Sequence, residues 1–192
     1  MMTTYFFVLL FILPSHAFKF LMYEPIFGYS HTKFMGSIAD ALTEAGHDVT
    51  ILMSVLDQDQ EKLADPSLTK NLIKVGPDPR TAEIIRHKGE KMSKMWTMQP
   101  TPLDWLRNIV PILSSQFAFQ CEKVISDDTL MQELKSMKFD AGIAETFTIC
   151  GFGIFEVLNL PATIATFSRV HSDYVRSAIG EPSGVSYVPG MC

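Results

Sequence analysis

Charge is scarce in this 192-residue chain: Asp, Glu, Lys and Arg supply 19% of it, hydrophobic residues 47%, and the net charge is −5. So few charges among so many apolar side chains exclude a disordered polymer and leave material for a sizeable core. A negative balance with no basic stripe between aromatics excludes a nucleic-acid partner. Cysteine is scarce too. Cys121, Cys150 and Cys192 are odd in number and too sparse for a disulfide framework. Buried free thiols are expected, with room for one bridge. No Asn-x-Ser/Thr glycosylation acceptor occurs.

The phosphate-cradling motifs are missing. No Gly-x-Gly-x-x-Gly follows the first strand-like segment, and there is no Walker loop, Gly-x-Ser-x-Gly elbow or His-Glu-x-x-His. The histidines and cysteines lack zinc-site spacing, so neither a metal nor a bound cofactor is implied. Long hydrophobic runs are also lacking. Tyr5 to Leu13 is unbroken and apolar but too short to span a bilayer. Ser15-His16-Ala17 follows with small residues where a signal peptidase cuts. Although basic residues are missing ahead of it, residues 1–17 read as a signal peptide, with a mature chain from Phe18 entering the secretory lumen. No later segment reads as a transmembrane helix.

What is present alternates. Phe18–Tyr23 reads as a buried strand ended by Pro25, and Ser30 as the N-cap of a helix carrying Phe34, Ile38, Leu42 and Ala45. Val49–Met53 and Leu72–Val75 follow as strands. Gly76 to Pro79 breaks the chain. Helices are expected over 81–97, over 103–125 with a kink at Pro111, and from a Ser126-Asp127 cap through Lys135. Phe139 to Ala144 is a further strand ending at Glu145, Cys150–Leu158 a short helix, and Pro161–Thr166 the last strand. The tail from Phe167 to Cys192 is rich in Gly, Pro and Ser and ends without a capping element. The length fits one domain, and the alternation predicts an α/β fold: a Rossmann-like parallel sheet with helices on both faces. The helix-rich stretch 81–137 is an insertion of the kind that shapes a pocket at a sheet's carboxyl edge. Its Met92, Met95, Trp96, Met98, Trp105, Phe117 and Phe119 suit either an adaptable apolar wall or ordinary core.

Ligands of parallel sheets bind at the carboxyl ends of the strands. His31 lies there, just past the first strand in the first turn of a helix. That turn faces the helix's positive end, a setting suited to the neutral ring a general base needs. Glu145 ends another strand on the same edge. Bonded to one ring nitrogen, it would fix the tautomer and stabilise the cation formed on proton abstraction. The plain alternatives are a polar loop histidine and a strand-end acid in a surface ion pair. His171 and Asp173, past the last strand, are rivals. His47 and His87 read as structural.

The Ser30-His31 loop and its helix through Ala45-Gly46-His47-Asp48-Val49-Thr50, the run Phe139-Asp140-Ala141-Gly142-Ile143-Ala144-Glu145, Cys150-Gly151, Leu160-Pro161-Ala162 and Val185-Ser186-Tyr187-Val188-Pro189 follow one another in a specific order and spacing. In these stretches, and in its leader, the chain resembles the amino-terminal part of a UDP-glycosyltransferase of the UDP-glucuronosyltransferase type, in a nematode-like variant. The resemblance implies the amino-terminal half of a GT-B fold, residues 18–192 forming a truncated acceptor-binding domain. The counterpart of His31 in that family deprotonates an acceptor hydroxyl, which attacks the sugar of a UDP-sugar with inversion. The supporting carboxylate there is usually Asp. Glu145 is one methylene longer, so its geometry with the histidine must differ.

The family's donor-binding signature and carboxyl-terminal membrane anchor have no counterpart in these residues. The UDP-sugar is therefore expected as co-substrate of the full-length enzyme, held by a domain this chain lacks, and the chain alone is expected to be inactive. The acceptor would be a small lipophilic hydroxyl compound and the location the endoplasmic reticulum lumen, with an anchor at full length. The alternative role is a short form that binds lipophiles or associates with full-length relatives.

Overall fold

The computed structural model describes residues 17–61, 66–86, 110–169 and 173–182, with single positions 101, 103, 107 and 171. The leader, His87, the methionines and tryptophans of 92–105, and Cys192 lie outside the described residues. Five parallel strands form one sheet in the order β3-β2-β1-β4-β5. They are β1 (Lys19–Ile26), β2 (Asp48–Val55), β3 (Asn71–Val75), β4 (Ala141–Glu145) and β5 (Thr163–Thr166). The helices are α1 (Tyr29–Glu44), α2 (Gln58–Glu61), α3 (Pro79–Arg86), α4 (Val110–Ile125), α5 (Asp128–Met137), α6 (Cys150–Val157) and α7 (Asp173–Ala178). This is the Rossmann-like α/β arrangement that the alternation predicts.

The sheet is buried on both faces, as parallel sheets with crossover helices are. Met22, Ile51, Met53 and Ile143 pack under Met35 and Ala39 of α1. On the other face, Leu21, Tyr23, Leu52 and Ala144 pack under Val124, Leu134, Ile154 and Phe155. Burial pushes the Tyr23 phenol up to about 12. Two glycines let α6 lie close on the sheet. A Cβ on Gly151 would come 2.6 Å from the Ala144 Cβ, and one on Gly142 would come 2.5 Å from the Phe155 ring.

Two local expectations differ. Pro25 does not end β1, which runs on to Ile26 opposite Val55. The ladder from β1 to β4 stops at Tyr23, so the N–H that Pro25 lacks has no partner to lose. The N-cap of α1 is Gly28, not Ser30, with no side-chain cap. His31 stays in the first turn all the same. Pro111 is the second residue of α4, and the residues on which a kink there depends lie outside the described ones. The tail contains α7, and its last residues lie outside the described ones. The Asp127 cap stands, its carboxylate accepting from Leu130 N at 3.0 Å.

Cys121 and Cys150 form a disulfide, their Cα atoms 5.7 Å apart, where free thiols were expected. The sequence spacing hides this pairing because it is made by packing: α4 and α6 lie side by side on one sheet face. Among the described residues, no helix is long and apolar enough to cross a membrane, and no group of His, Cys, Asp and Glu could hold a metal.

Candidate active site

The strand order reverses between β1 and β4, and an open parallel sheet forms its crevice at that switch point. Both residues singled out in the sequence stand there. β1 runs into the Phe27-Gly28 turn and delivers His31 two residues into α1. β4 ends on Glu145, which is 5% exposed. The His31 Nδ1 and Glu145 Oε2 atoms are 2.7 Å apart, an ion-pair or charge-assisted hydrogen-bond distance.

Burial pushes the Glu145 carboxyl up, but the hydrogen bonds from His31 and Ser168 outweigh it and hold the group below its ordinary value. Glu145 is therefore ionised at neutral pH and accepts through both oxygens. A proton must lie between Oε2 and Nδ1, so the neutral ring carries its hydrogen on Nδ1. The Nε2 lone pair is left for a substrate proton, since no described residue bonds to Nε2. Such a ring can act as a base at Nε2 while the carboxylate stabilises the resulting imidazolium.

Ser168, just past β5, is the member that sequence reading missed. Its Oγ is hydrogen-bonded to Glu145 Oε1 and lies 3.1 Å from His31 Nδ1. Its backbone N–H donates to the same Oε1 at 3.3 Å. The placement follows from register. Glu145 pairs with Thr166 and Thr146 N donates to Thr166 O, so the chain leaving β5 passes in front of Glu145. A polar residue two places past the last strand was the available signal.

Three phenylalanines frame the ring. Phe27 stacks on Phe147 with centroids 4.8 Å apart, and Phe117 meets both edge-on. The His31 ring lies 4.7 Å from Phe27 and 5.1 Å from Phe147. Phe117 comes from α4, within the expected apolar insertion. Phe147, in the loop after β4, is half-exposed and was not foreseen. Phe119 is turned elsewhere, under the Arg80 guanidinium at 4.3 Å.

The rival histidine is not part of this cluster. His171 bonds Glu181 at 2.7 Å and rests edge-on against Phe167. The Asp173 side chain lies outside the described residues. His47 accepts from Phe18 N and packs against Phe18 and Phe20, a structural place as expected.

The sequence profile of the family described as "UDP-glucoronosyl and UDP-glucosyl transferase" matches residues 21–192. The chain belongs to this family. Among its relatives are the Caenorhabditis elegans UDP-glucuronosyltransferase-family proteins ugt-55, 30% identical over 168 residues, and ugt-56, 32% identical over 166. These matches cover 87% and 85% of this chain but 32% and 31% of the relatives. Rat UDP-glucuronosyltransferase 2B7 is 27% identical over 84% of the chain and 31% of its own length. The chain therefore spans about a third of the length of the curated family members it matches. Among solved structures, TcCGT1 in complex with UDP overlaps 88% of this chain and 33% of its own, at 12% identity and a TM-score of 0.48. The calicheamicin glycosyltransferase CalG4 overlaps 88% and 38%, at 13% identity and a TM-score of 0.47.

Proposed function

We propose that this chain supplies the acceptor site and catalytic base of a UDP-glycosyltransferase, in the amino-terminal half of a GT-B fold. The observation that carries the reading is the 2.7 Å pair of His31 and Glu145 at the switch point, in a chain of this family. The acceptor is a small lipophilic compound with a hydroxyl group, set against Phe27, Phe117 and Phe147. Nε2 of His31 takes the hydroxyl proton as the oxygen attacks the anomeric carbon of the UDP-sugar from the face opposite the leaving group. Inversion results and UDP departs. The imidazolium, held at Nδ1 by Glu145, stores the proton until release.

UDP-sugar binding falls to the part of the relatives that these residues do not span. The matched Caenorhabditis elegans and rat relatives are UDP-glucuronosyltransferases by name, and this chain shares their family. The disulfide of Cys121 and Cys150 suits an oxidising compartment, in keeping with a signal peptide at residues 1–17 and the endoplasmic reticulum lumen.

A second reading, association with full-length relatives, has one observation in its favour. Among the described residues β5 is an edge strand, and its Ile164 is 44% exposed.

The test is a product assay on the polypeptide purified from its native source, given a UDP-sugar and a panel of phenols. A β-linked conjugate from an α-linked donor is the expected product, with none formed by residues 18–192 alone. An α-linked conjugate, or no conjugate from a polypeptide that extends past Cys192, contradicts the reading. Co-purification of the short chain with a longer, active relative moves the second reading ahead.

A further inference from the structure

We propose that Ser168 is a positioning residue, a clamp that divides the labour of the Glu145 carboxylate and holds His31 in the tautomer protonated at Nδ1. Each carboxylate oxygen has its own task. Oε2 takes the Nδ1 hydrogen of His31 at 2.7 Å. Oε1 takes the Ser168 hydroxyl and, at 3.3 Å, the Ser168 backbone N–H. With its hydrogen committed to Oε1, Ser168 Oγ presents a lone pair to Nδ1 at 3.1 Å. The Nδ1 hydrogen thus lies between two acceptors, and a hydrogen moved to Nε2 would leave Oε2, Oγ and Nδ1 facing one another as three acceptors.

The clamp also answers a problem of length. Glutamate has one more rotatable bond than aspartate, and a carboxylate held at one oxygen can swing about it. Holding the second oxygen removes that freedom. Ser168 reaches Glu145 from β5, on the far side of β4 from His31, so the carboxylate is gripped from both flanks. The catalytic meaning of the clamp rests on His31 being the base, but the geometry does not.

The measurement is imidazole nitrogen NMR on the full 192-residue chain with ¹⁵N-labelled histidine, at a pH where the ring is neutral. His31 is assigned by the loss of its signals in His31→Gln. The wild type should show protonated Nδ1 and bare Nε2. Ser168→Ala leaves no cavity, because the side chain is exposed. It should lower the ratio of the two tautomers roughly two- to tenfold, the effect of one lost hydrogen bond. Ser168→Thr keeps the hydroxyl and should keep the wild-type ratio. In a Glu145→Ala background the Ser168→Ala step should shrink, because the clamp works through the carboxylate.

An unchanged ratio in Ser168→Ala overturns the proposal, as does an undiminished step in the Glu145→Ala background. Neither result bears on sugar transfer. A failed product assay with these NMR results intact would remove the transferase reading and leave the clamp.

Discussion

Replacing Gly151 by alanine should loosen the floor of the site without touching His31 or Glu145. The new Cβ would meet the Ala144 Cβ at 2.6 Å and the Tyr23 Cδ1 and Cβ at 2.9 and 3.1 Å. Two of these atoms are Cβ atoms of buried strand residues, which cannot move aside by rotation. The helix must lift instead, at the roughly 1–3 kcal/mol that overpacking costs. Gly153, two residues on in the same helix, is the control, since a Cβ there meets nothing within 4 Å. Gly153→Ala should gain about 0.5–1 kcal/mol from helix propensity. Urea unfolding should therefore separate the two variants by roughly 1.5–4 kcal/mol with opposite signs. Equal midpoints would refute the close approach of α6 to β1 and β4. So would a stabilised Gly151→Ala.

Gly142→Ala should be destabilised in the same way and regain part of the loss when Phe155, whose ring lies 2.5 Å from the added Cβ, is cut to leucine; urea midpoints of the single and double variants decide it. Reduction, or Cys121→Ser with Cys150→Ser, should cost about 3–4 kcal/mol from the loop closed over a separation of 29 residues, read as a lower urea midpoint, and an unchanged midpoint would speak against the bridge. Glu145 is held below its ordinary 4.5, so its stabilisation is complete above that value and is lost as the pH falls through the depressed folded-state value. The stability gap between wild type and Glu145→Gln should accordingly be full at neutral pH and close in acid below 4.5, whereas a gap constant with pH would show that the carboxylate is not ionised and paired.

The α/β class and most element positions were legible because buried strands and amphipathic helices leave periodic marks. His31 and Glu145 were legible because each stands at the carboxyl end of a strand, and parallel strands bring such ends to one edge. What escaped depends on contacts between segments far apart in sequence. Pro25 looks like a strand terminator until β4 proves too short to reach it. The capping role of Ser30 passes to Gly28 because the helix starts earlier, at Tyr29. Cys121 and Cys150 pair only because α4 and α6 share a face, and Ser168 joins the dyad only because β5 runs beside β4 in register. Phe147 had no periodic neighbour to mark it, and its partners Phe27 and Phe117 come from two other segments.

The central claim is that His31 takes the proton of the acceptor hydroxyl while Glu145 holds the ring. The direct measurement is the kcat/KM of sugar transfer by the native-length polypeptide bearing His31→Ala or Glu145→Gln. Loss of a general base predicts a fall of roughly 10²–10⁴-fold for His31→Ala. A smaller fall is expected for Glu145→Gln, whose histidine remains but is less well held. A His31→Ala enzyme that transfers sugar at the wild-type rate would contradict the account.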